Sequence, residues 1–477
     1  MFPSDPSETI PESEPSGAQR KSRSEASVLG FVVLWSADEP AFLGAWLPVA
    51  SSGKHILGRG PSSGVGEPAR VVAVRQRPDG NHPLPAFMSP SLSKIQLTVQ
   101  AQAPEALIVE NVGRRRLFVN GQQLENSELR VGDVVDIGAQ LTLLCAVRPP
   151  YWERSLAALH PFGEPDAHGF VGESPAAWRV RSELRFAASR VGHVLILGAS
   201  GTGKELVAQA VHRESKLAGP LVARNAATLP ESLIDAELFG NAKGYPNPGM
   251  AERKGMIGAS DGGTLFLDEF ADLPAGAQAH VLRVLDGGQY HRLGEDKARH
   301  SQFRLVAATN RSESTLRADV LARFDFRIAT PELAQRREDI PLIALQLLRS
   351  LILDNRDLHA RFFSAAGAPR LSEGFARRLV QRAYGANVRE LRQLLWRALA
   401  TSTGSELEWP EAEGAPAPPA SGSPTEDYSL EQLKRALDAN NGSLEKTWRA
   451  LGLANRHVLN RLLRKYGLSV TKTHRRD

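Results

Sequence analysis

The apolar positions change rhythm twice along this chain of 477 residues. Between about Val28 and Arg148, short apolar runs (Ile95–Val99, Leu107–Glu110, Leu117–Val119, Val134–Ile137 and Leu141–Val147) are cut apart by Gly, Pro and Asn. Runs of that length with little helical periodicity predict a small all-β sandwich or barrel. Asn120-Gly121, between two of them, is a tight-turn signal, because both residues tolerate positive φ. After Pro149-Pro150, apolar runs at Val194–Leu197, Thr264–Leu267 and Phe303–Ala307 alternate with helical segments. These runs are hydrophobic almost throughout, as parallel strands covered on both faces must be. Helical segments dominate from Arg336 to Thr403, and an Ala-, Pro-, Gly- and Ser-rich stretch follows at Glu411–Pro424. The expected organisation is multidomain. Residues 1–27 read as disordered, 28–150 as a β-sandwich and 168–335 as an α/β unit. Residues 336–405 read as a helical lid, 406–424 as a linker and 425–477 as a small all-α unit.

Composition narrows the class only a little. A chain 42% hydrophobic and 23% charged can bury real cores. The net charge of +5 does not by itself imply nucleic acid, but its distribution says more. From Lys446 to Arg476 there are nine Lys and Arg and no acid, a local basic block that suits a phosphate-bearing partner. Cys145 is the sole cysteine, which excludes an intrachain disulfide and a cysteine-based metal site. It lies in an apolar run, so a buried thiol in a reducing compartment is expected. The first 27 residues lack a charged start followed by an apolar stretch, and no apolar run is long enough for a bilayer. The expected location is cytoplasmic, with no membrane partner.

Chemistry concentrates where the second rhythm begins. Gly198, Ala199, Ser200, Gly201, Thr202, Gly203 and Lys204 follow one apolar run and precede the helical pattern Glu205–Arg213. Glycines there let backbone N–H groups converge on phosphate oxygens, the helix start adds positive dipole, and Lys204 adds a charge to the β- and γ-phosphates. ATP with Mg²⁺ is the implied ligand. A Ser or Thr usually follows that Lys, whereas Glu205 stands here. Asp268-Glu269 ends the next apolar run, where Asp268 suits Mg²⁺ or its waters and Glu269 suits orienting and deprotonating an attacking water. Read alone, such a pair is equally a solvated strand end. Asn310 ends a further run and is placed to reach the γ-phosphate or that water.

Residues from about 170 to 400 resemble the AAA+ domain of bacterial enhancer-binding proteins, which remodel RNA polymerase carrying sigma-54. The resemblance rests on Gly201-Thr-Gly-Lys-Glu-Leu-Val207, Glu237-Leu-Phe-Gly240, Gly262-Gly-Thr-Leu-Phe-Leu-Asp-Glu269 and Asn387-Val-Arg-Glu-Leu391. It makes Glu205 ordinary for the family. It implies that Asn225 switches Glu269, that Arg389 senses nucleotide from the lid, and that Arg317 and Arg323 are donated across a homo-oligomeric, usually hexameric, ring. A planar guanidinium suits charge developing on a transferring phosphoryl group. One stretch departs from the pattern. Where the family's polymerase-contacting loop reads Gly-Ala-Phe-Thr-Gly-Ala, this chain has Gly244, Tyr245, Pro246, Asn247, Pro248 and Gly249. Two prolines stiffen a loop that moves with nucleotide in the family.

The flanking units carry resemblances of their own. Gly58-Arg59, Ser93 with Lys94, Val119-Asn-Gly121 and Leu129-Arg-Val-Gly-Asp133 with Ile137-Gly138 resemble the landmarks of a forkhead-associated domain, a β-sandwich that reads phosphothreonine. That resemblance implies phosphate binding by Arg59 and Ser93 with Lys94 beside them. Gln96 replaces the family's His, and Arg114-Arg-Arg116 replaces its peptide-reading Asn. At the other end, Ser429-Leu-Glu-Gln432 starts a helix with a capping box, and Leu430, Leu433 and Leu437 share a face. Two further helices joined at Leu451-Gly-Leu453 complete a helix-turn-helix similar to the Fis type, with Arg456, His457, Asn460, Arg461 and Arg464 facing DNA. Three functions are consistent with this plan. One is a sigma-54-dependent activator bound to an upstream DNA site and gated through a phosphothreonine protein. Another is a DNA-binding ATPase regulator that has lost the sigma-54 contact. The third is a phosphopeptide-binding protein whose ATPase is only an oligomerisation switch.

Overall fold

The computed structural model describes residues 27–61, 68–102, 106–150, 152, 158–365, 367–410 and 430–440, with Thr447 and Leu463. Residues up to 410 form one compact unit and those from 411 another.

The first 150 residues are a two-sheet antiparallel sandwich. Its strands are β1 (Val28–Ser36), β2 (Trp46–Pro48), β3 (Lys54–Leu57), β4 (Val74–Arg77), β5 (Gly80–Pro83) and β6 (Leu97–Gln102). They continue as β7 (Ala106–Asn111), β8 (Leu117–Val119), β9 (Gln122–Leu124), β10 (Asn126–Arg130), β11 (Val134–Ile137) and β12 (Leu141–Arg148). One sheet runs β5-β4-β2-β1-β12-β11-β8-β9 and the other β10-β7-β6-β3. Between them lie Phe31, Val33, Leu97, Val99, Leu143 and Cys145, all fully buried. Burial pushes the Cys145 thiol up to about 12, so it stays protonated and unreactive. Asn120 and Gly121 have φ of 50° and 90°, as the tight turn between β8 and β9 requires.

The α/β unit begins with α1 (Pro175–Ala188), capped by the Ser174 side chain on the Ala177 N–H and opened by Pro175 at its first position. Its parallel strands are β13 (Val194–Leu197), β14 (Leu221–Asn225), β15 (Thr264–Asp268), β18 (Arg304–Thr309) and β19 (Phe326–Ala329), ordered β14-β15-β18-β13-β19. A two-stranded ribbon, β16 (Gln289–Tyr290) with β17 (Arg299–His300), stands apart from this sheet. Alternation along each strand serves both faces. Val194, Ile196, Val306 and Ala308 meet α1 and α2 (Lys204–Ser215) on one side. Leu195, Leu265, Leu305 and Ala307 meet α3 (Ile234–Phe239), α4 (Gly255–Ala259) and α5 (Ala275–Gly287) on the other. A short α6 (Ala318–Leu321) precedes β19. The lid comprises α7 (Ile340–Leu351), α8 (Arg356–Phe362), α9 (Phe375–Gln381) and α10 (Asn387–Thr401). Its core extends to the fully buried Leu407, with Trp409 packed against it, so it passes the boundary expected at residue 405.

The sandwich and the lid, expected over residues 28–150 and 336–405, pack against each other. Val32, Leu34, Trp46, Val134, Leu144 and Ala146 point away from the sandwich interior and share one buried cluster with Leu348, Phe375 and Leu379 of the lid. Arg148 donates to Glu338 at 2.7 Å, and Arg377 to Asp136 at 2.9 Å. The middle strands of the eight-stranded sheet, β2, β1, β12 and β11, are therefore covered on both faces.

Beyond residue 410 the described helix is α11 (Leu430–Ala439), with Leu433 and Leu437 buried as their common face predicts. The positions expected to face DNA, Arg456, His457, Asn460, Arg461 and Arg464, lie outside the described residues, as do residues 1–26 and the whole stretch 411–424. Among the described residues, no helix is long and apolar enough to cross a membrane.

Candidate functional site

A cleft of about 800 Å³ lies at the C-terminal ends of the parallel strands, between the sheet and the lid. Its floor is the loop from Gly198 to Lys204, which joins β13 to α2. Gly201 and Gly203 adopt φ of 77° and 103°, values that L side chains rarely reach, and Gly203 caps α2. A methyl group on Gly201 would sit 2.2 Å from the Ala386 carbonyl, so the lid rests directly on this loop. The Thr202 hydroxyl donates to the Ala199 carbonyl at 2.8 Å and meets the Thr330 hydroxyl at the same distance, fixing the loop from below. Lys204 is buried; its Nζ donates to the Gly198 carbonyl at 2.9 Å and lies 3.8 Å from Glu269 Oε1. Glu205 and Ser200 complete the lining from this loop.

Opposite the lysine stand the acidic residues. Asp268 ends β15 and pairs in register with Asn225 at the end of β14. Its Oδ1 accepts the Glu269 N–H at 3.0 Å, and Glu269 turns into the left-handed region at φ 50°. That turn swings the Glu269 carboxylate across to β18, where Oε2 accepts the backbone N–H of Asn310 at 3.2 Å. Asn310 thus meets Glu269 through its backbone rather than its side chain. The Asn225 side chain lines the cleft too, yet its Oδ1 caps the Ala227 N–H at 2.9 Å. From the lid, Arg389 reaches the Ser200 hydroxyl at 3.2 Å.

Arg317 and Arg323 are not part of this cleft. Arg317 pairs with Asp319 (Nε to Oδ1, 3.0 Å) and Arg323 pairs with Asp286; all four are exposed.

Arg336 and Arg392 line the cleft without a role expected from sequence, and Asn387, which opens a motif quoted above, stands beside it. Arg336 is 2% exposed and lies with its guanidinium 4.9 Å from the Phe170 ring, donating to the Val171 and Thr202 carbonyls at 3.4 and 3.5 Å. Burial lowers its pKa, against the pull of Asp339. Asn387, buried in left-handed conformation, accepts the Leu333 N–H at 2.9 Å and donates to the Ser200 carbonyl at 3.1 Å. Arg392, one turn beyond Arg389, also lines the cleft. Its spacing from Arg389 on a helix was the available signal. Arg336 carried none beyond its place at the start of the helical region.

The stretch Gly244–Gly249 forms a closed loop on the α/β unit. Gly244 N–H donates to the Met250 carbonyl at 2.8 Å and Met250 N–H to the Asn247 carbonyl at 3.1 Å. At its base the buried Asn241 amide donates to the carbonyls of Ala242, Tyr245 and Ala251 at 3.0, 3.2 and 3.1 Å. Tyr245 is half-exposed and packs over Gly294; the peptide between it and Pro246 is cis. Pro246, Asn247 and Pro248 are exposed.

On the sandwich, the residues expected to meet phosphate converge at one end. The Arg59 N–H donates to the Ser93 carbonyl at 2.9 Å, and Arg70 donates to the carbonyls of Arg59 and Lys94 at 3.3 and 2.9 Å. Ser93 Oγ accepts the Arg114 N–H at 3.0 Å, which leaves its own proton to donate. Gln96 is fully buried and braces both loops. Its amide donates to Asn111 Oδ1 at 2.8 Å and the Arg115 carbonyl at 3.0 Å, and its oxygen accepts the Ser93 N–H at 3.3 Å. The replacement at this position is a working scaffold residue.

Residues 170–330 match the family model described as the Sigma-54 interaction domain, an AAA+ ATPase domain. The chain is 35% identical over 337 residues to the anaerobic nitric oxide reductase transcription regulator NorR of Klebsiella pneumoniae, a match covering 64% of this chain and 63% of that one. The NorR protein of Salmonella arizonae is 36% identical over 346 residues, covering 66% and 65%. The chain thus spans somewhat less than two thirds of the length of these curated relatives. Among solved structures, NtrX from Brucella abortus in complex with ADP aligns at 28% identity and a TM-score of 0.45, over 64% of this chain and 70% of that one.

Proposed function

We infer that this chain is an ATP-hydrolysing transcription regulator that acts on RNA polymerase carrying sigma-54. The observation that carries the reading is one cleft in which the phosphate loop, Lys204, Asp268 and Glu269, all within the stretch matched as a Sigma-54 interaction domain, meet Arg389 of the lid. In this reading the backbone N–H groups from Ala199 to Gly203 and the Lys204 ammonium hold the β- and γ-phosphates of ATP. Glu269, held by the Asn310 N–H, takes a proton from a water attacking the γ-phosphorus, and ADP leaves. Two carboxylates facing a phosphate loop fit Mg²⁺, which binds through one or two carboxylates plus phosphate oxygens and water. Asp268 would hold it, and the ion would neutralise charge on the phosphates. Arg317 and Arg323, outside their own cleft, serve a neighbouring copy in a homo-oligomeric, hexameric ring. Asn225 relays nucleotide state to Glu269.

The flanking units extend the proposal. The sandwich is a forkhead-associated-type domain in which Arg59, Ser93 and Lys94 bind a phosphothreonine protein; their convergence supports this. The C-terminal unit is a Fis-type helix-turn-helix that binds an upstream DNA site, with Arg456, His457, Asn460, Arg461 and Arg464 as its reading surface. The protein works in the cytoplasm.

A second reading rests on the loop with Tyr245, Pro246 and Asn247. A regulator from the same stock that no longer contacts sigma-54 would keep ATP and DNA binding. The two readings separate in one experiment: the protein is trapped with ADP and a metal-fluoride mimic of the transferring phosphate, then mixed with purified sigma-54. A nucleotide-dependent complex lost on changing Tyr245 or Asn247 supports the first reading. No complex, with normal hydrolysis and DNA binding, supports the second. The site assignment has its own test. Glu269→Gln should bind ATP but hydrolyse it roughly 10²–10⁴-fold more slowly, and undiminished turnover would overturn the role of Glu269.

A further inference from the structure

We propose that Arg77 is a positioning residue that makes the sandwich a brake on nucleotide exchange, by tying it to the α/β unit across the hinge about which the lid moves. The hinge is the segment 336–339, between β19 and α7, and its four side chains reach four different parts of the molecule. Arg336 donates to the Thr202 carbonyl of the phosphate loop at 3.5 Å. Arg337 donates to the Gly132 carbonyl of the sandwich and the Val380 carbonyl of the lid, both at 3.1 Å. Glu338 accepts from Nε and Nη2 of Arg148 in the sandwich at 3.1 and 2.7 Å. Asp339 accepts the N–H groups of Glu173 and Ser174, at the start of α1, at 2.7 and 2.9 Å. The backbone leaves helical geometry at Arg336, with φ −135° and ψ 47°, as a segment that absorbs a change of direction must.

Two stretches of chain therefore meet at the hinge, the one entering α1 and the one leaving the α/β unit for the lid, and the sandwich grips both. Its grip on the first is Arg77, at the end of β4. Nη2 and Nε donate to the two carboxylate oxygens of Glu173 at 2.8 and 3.2 Å, and Nη1 donates to the His160 carbonyl at 2.6 Å. The guanidinium also lies 5.3 Å from the Trp178 ring of α1. A bidentate pair of this kind fixes direction as well as distance. On the other side of the hinge, the sandwich and the lid share an apolar core. The sandwich thus joins the lid by burial and the α/β unit by a directional ion pair. The lid cannot tilt off the phosphate loop with the sandwich attached unless Arg77 leaves Glu173. Bound phosphates would lie between that loop and Arg389, so the tilt is the step that frees ADP. This inference rests on the reading of the cleft as an ATP site.

The test is the rate at which the full-length protein releases a fluorescent ADP analogue when chased with excess ATP in a stopped-flow instrument. Arg77→Met should speed release by at least about tenfold, equivalent to ~1.4 kcal/mol. Arg148→Met is the matched control. Its pair with Glu338 is as deeply buried, with side chains 2 and 12% exposed against 10 and 1% for Arg77 and Glu173. It should therefore destabilise the protein to urea as much as Arg77→Met does. The shared apolar core still holds the lid in that variant, so its release rate should stay close to the natural one. Arg77→Met strands the Glu173 carboxylate, so Arg77→Met/Glu173→Gln, which removes the stranded charge, is measured beside it and should release the analogue equally fast. Natural release rates from both Arg77 variants, or equal acceleration by Arg148→Met, would overturn the brake. Failure of the natural protein to bind the analogue would overturn the reading of the cleft, and the brake with it.

Discussion

The lid presents two surfaces to the rest of the molecule, and they are built on different physics. Toward the phosphate loop it offers hydrogen bonds. Asn387 donates to the Ser200 carbonyl, Val388 N–H to the Gly201 carbonyl at 3.1 Å, and Arg389 to the Ser200 hydroxyl. Toward the sandwich it offers a continuous apolar core flanked by the Arg148–Glu338 and Arg377–Asp136 pairs. Hydrogen bonds of the first kind contribute only about 0.5–1.5 kcal/mol each, because water or nucleotide replaces them readily. Burial of large apolar side chains stabilises by about 1.5–3 kcal/mol apiece. The lid is therefore bound more firmly to the sandwich than to the site it covers. A change at the cleft can tilt the lid, and the sandwich would travel with it.

The largest test of this contrast is removal of residues 1–150. Leu348, Phe375 and Leu379 would lose their cover, so the remainder should bind an apolar dye strongly and lose cooperative unfolding. A remainder that binds no dye and melts as the whole chain does would refute the shared core. Next comes Glu338→Ala. It strands the buried Arg148 guanidinium and should cost about 3–5 kcal/mol in urea unfolding. Asn387→Ala should cost less, about 1–3 kcal/mol, and should also weaken ATP binding, which Glu338→Ala should not do directly. Equal effects of the two substitutions on ATP binding would erase the distinction between the surfaces.

The smallest expected effect is a pH dependence. Burial drives the Asp136 pKa above its ordinary value of 3.8, although Thr142 and Arg377 pull it down; Glu373 adds to the rise. A raised acid binds its proton more tightly folded than unfolded. Its contribution is therefore fully present below 3.8 and declines as pH rises through the elevated value. The stability of the natural protein relative to Asp136→Asn, followed by urea unfolding against pH, should fall over that window. A flat difference would mean that Arg377 fully compensates the burial.

How much of this was legible beforehand depended on whether the signal was local. The phosphate loop was legible because glycine spacing, strand and helix are contiguous, and the parallel strands because doubly covered strands are apolar throughout. The same criterion, applied to Phe31–Leu34 and Leu141–Ala146, would have found the sandwich's second covered face. Those runs are nearly as unbroken as Val194–Leu197. Glu269's path to Asn310 was not legible, because it depends on a left-handed turn that a glutamate rarely adopts. Nor was the place of Arg336, whose aromatic partner Phe170 lies far off in sequence. Local spacing reports on elements, and only tertiary packing decides which buried polar groups meet.

The Asn241 amide has a consequence for how this lineage is free to change. One buried side chain, lying outside the exposed tip, ties together the carbonyls of Ala242, Tyr245 and Ala251. The exposed tip from Pro246 to Pro248 adds one bond to this base, from the Met250 N–H to the Asn247 carbonyl. The exposed side chains of Pro246, Asn247 and Pro248 can therefore change while that base is kept. Such a loop is a replaceable tip on a fixed handle, set apart from the residues of the nucleotide cleft.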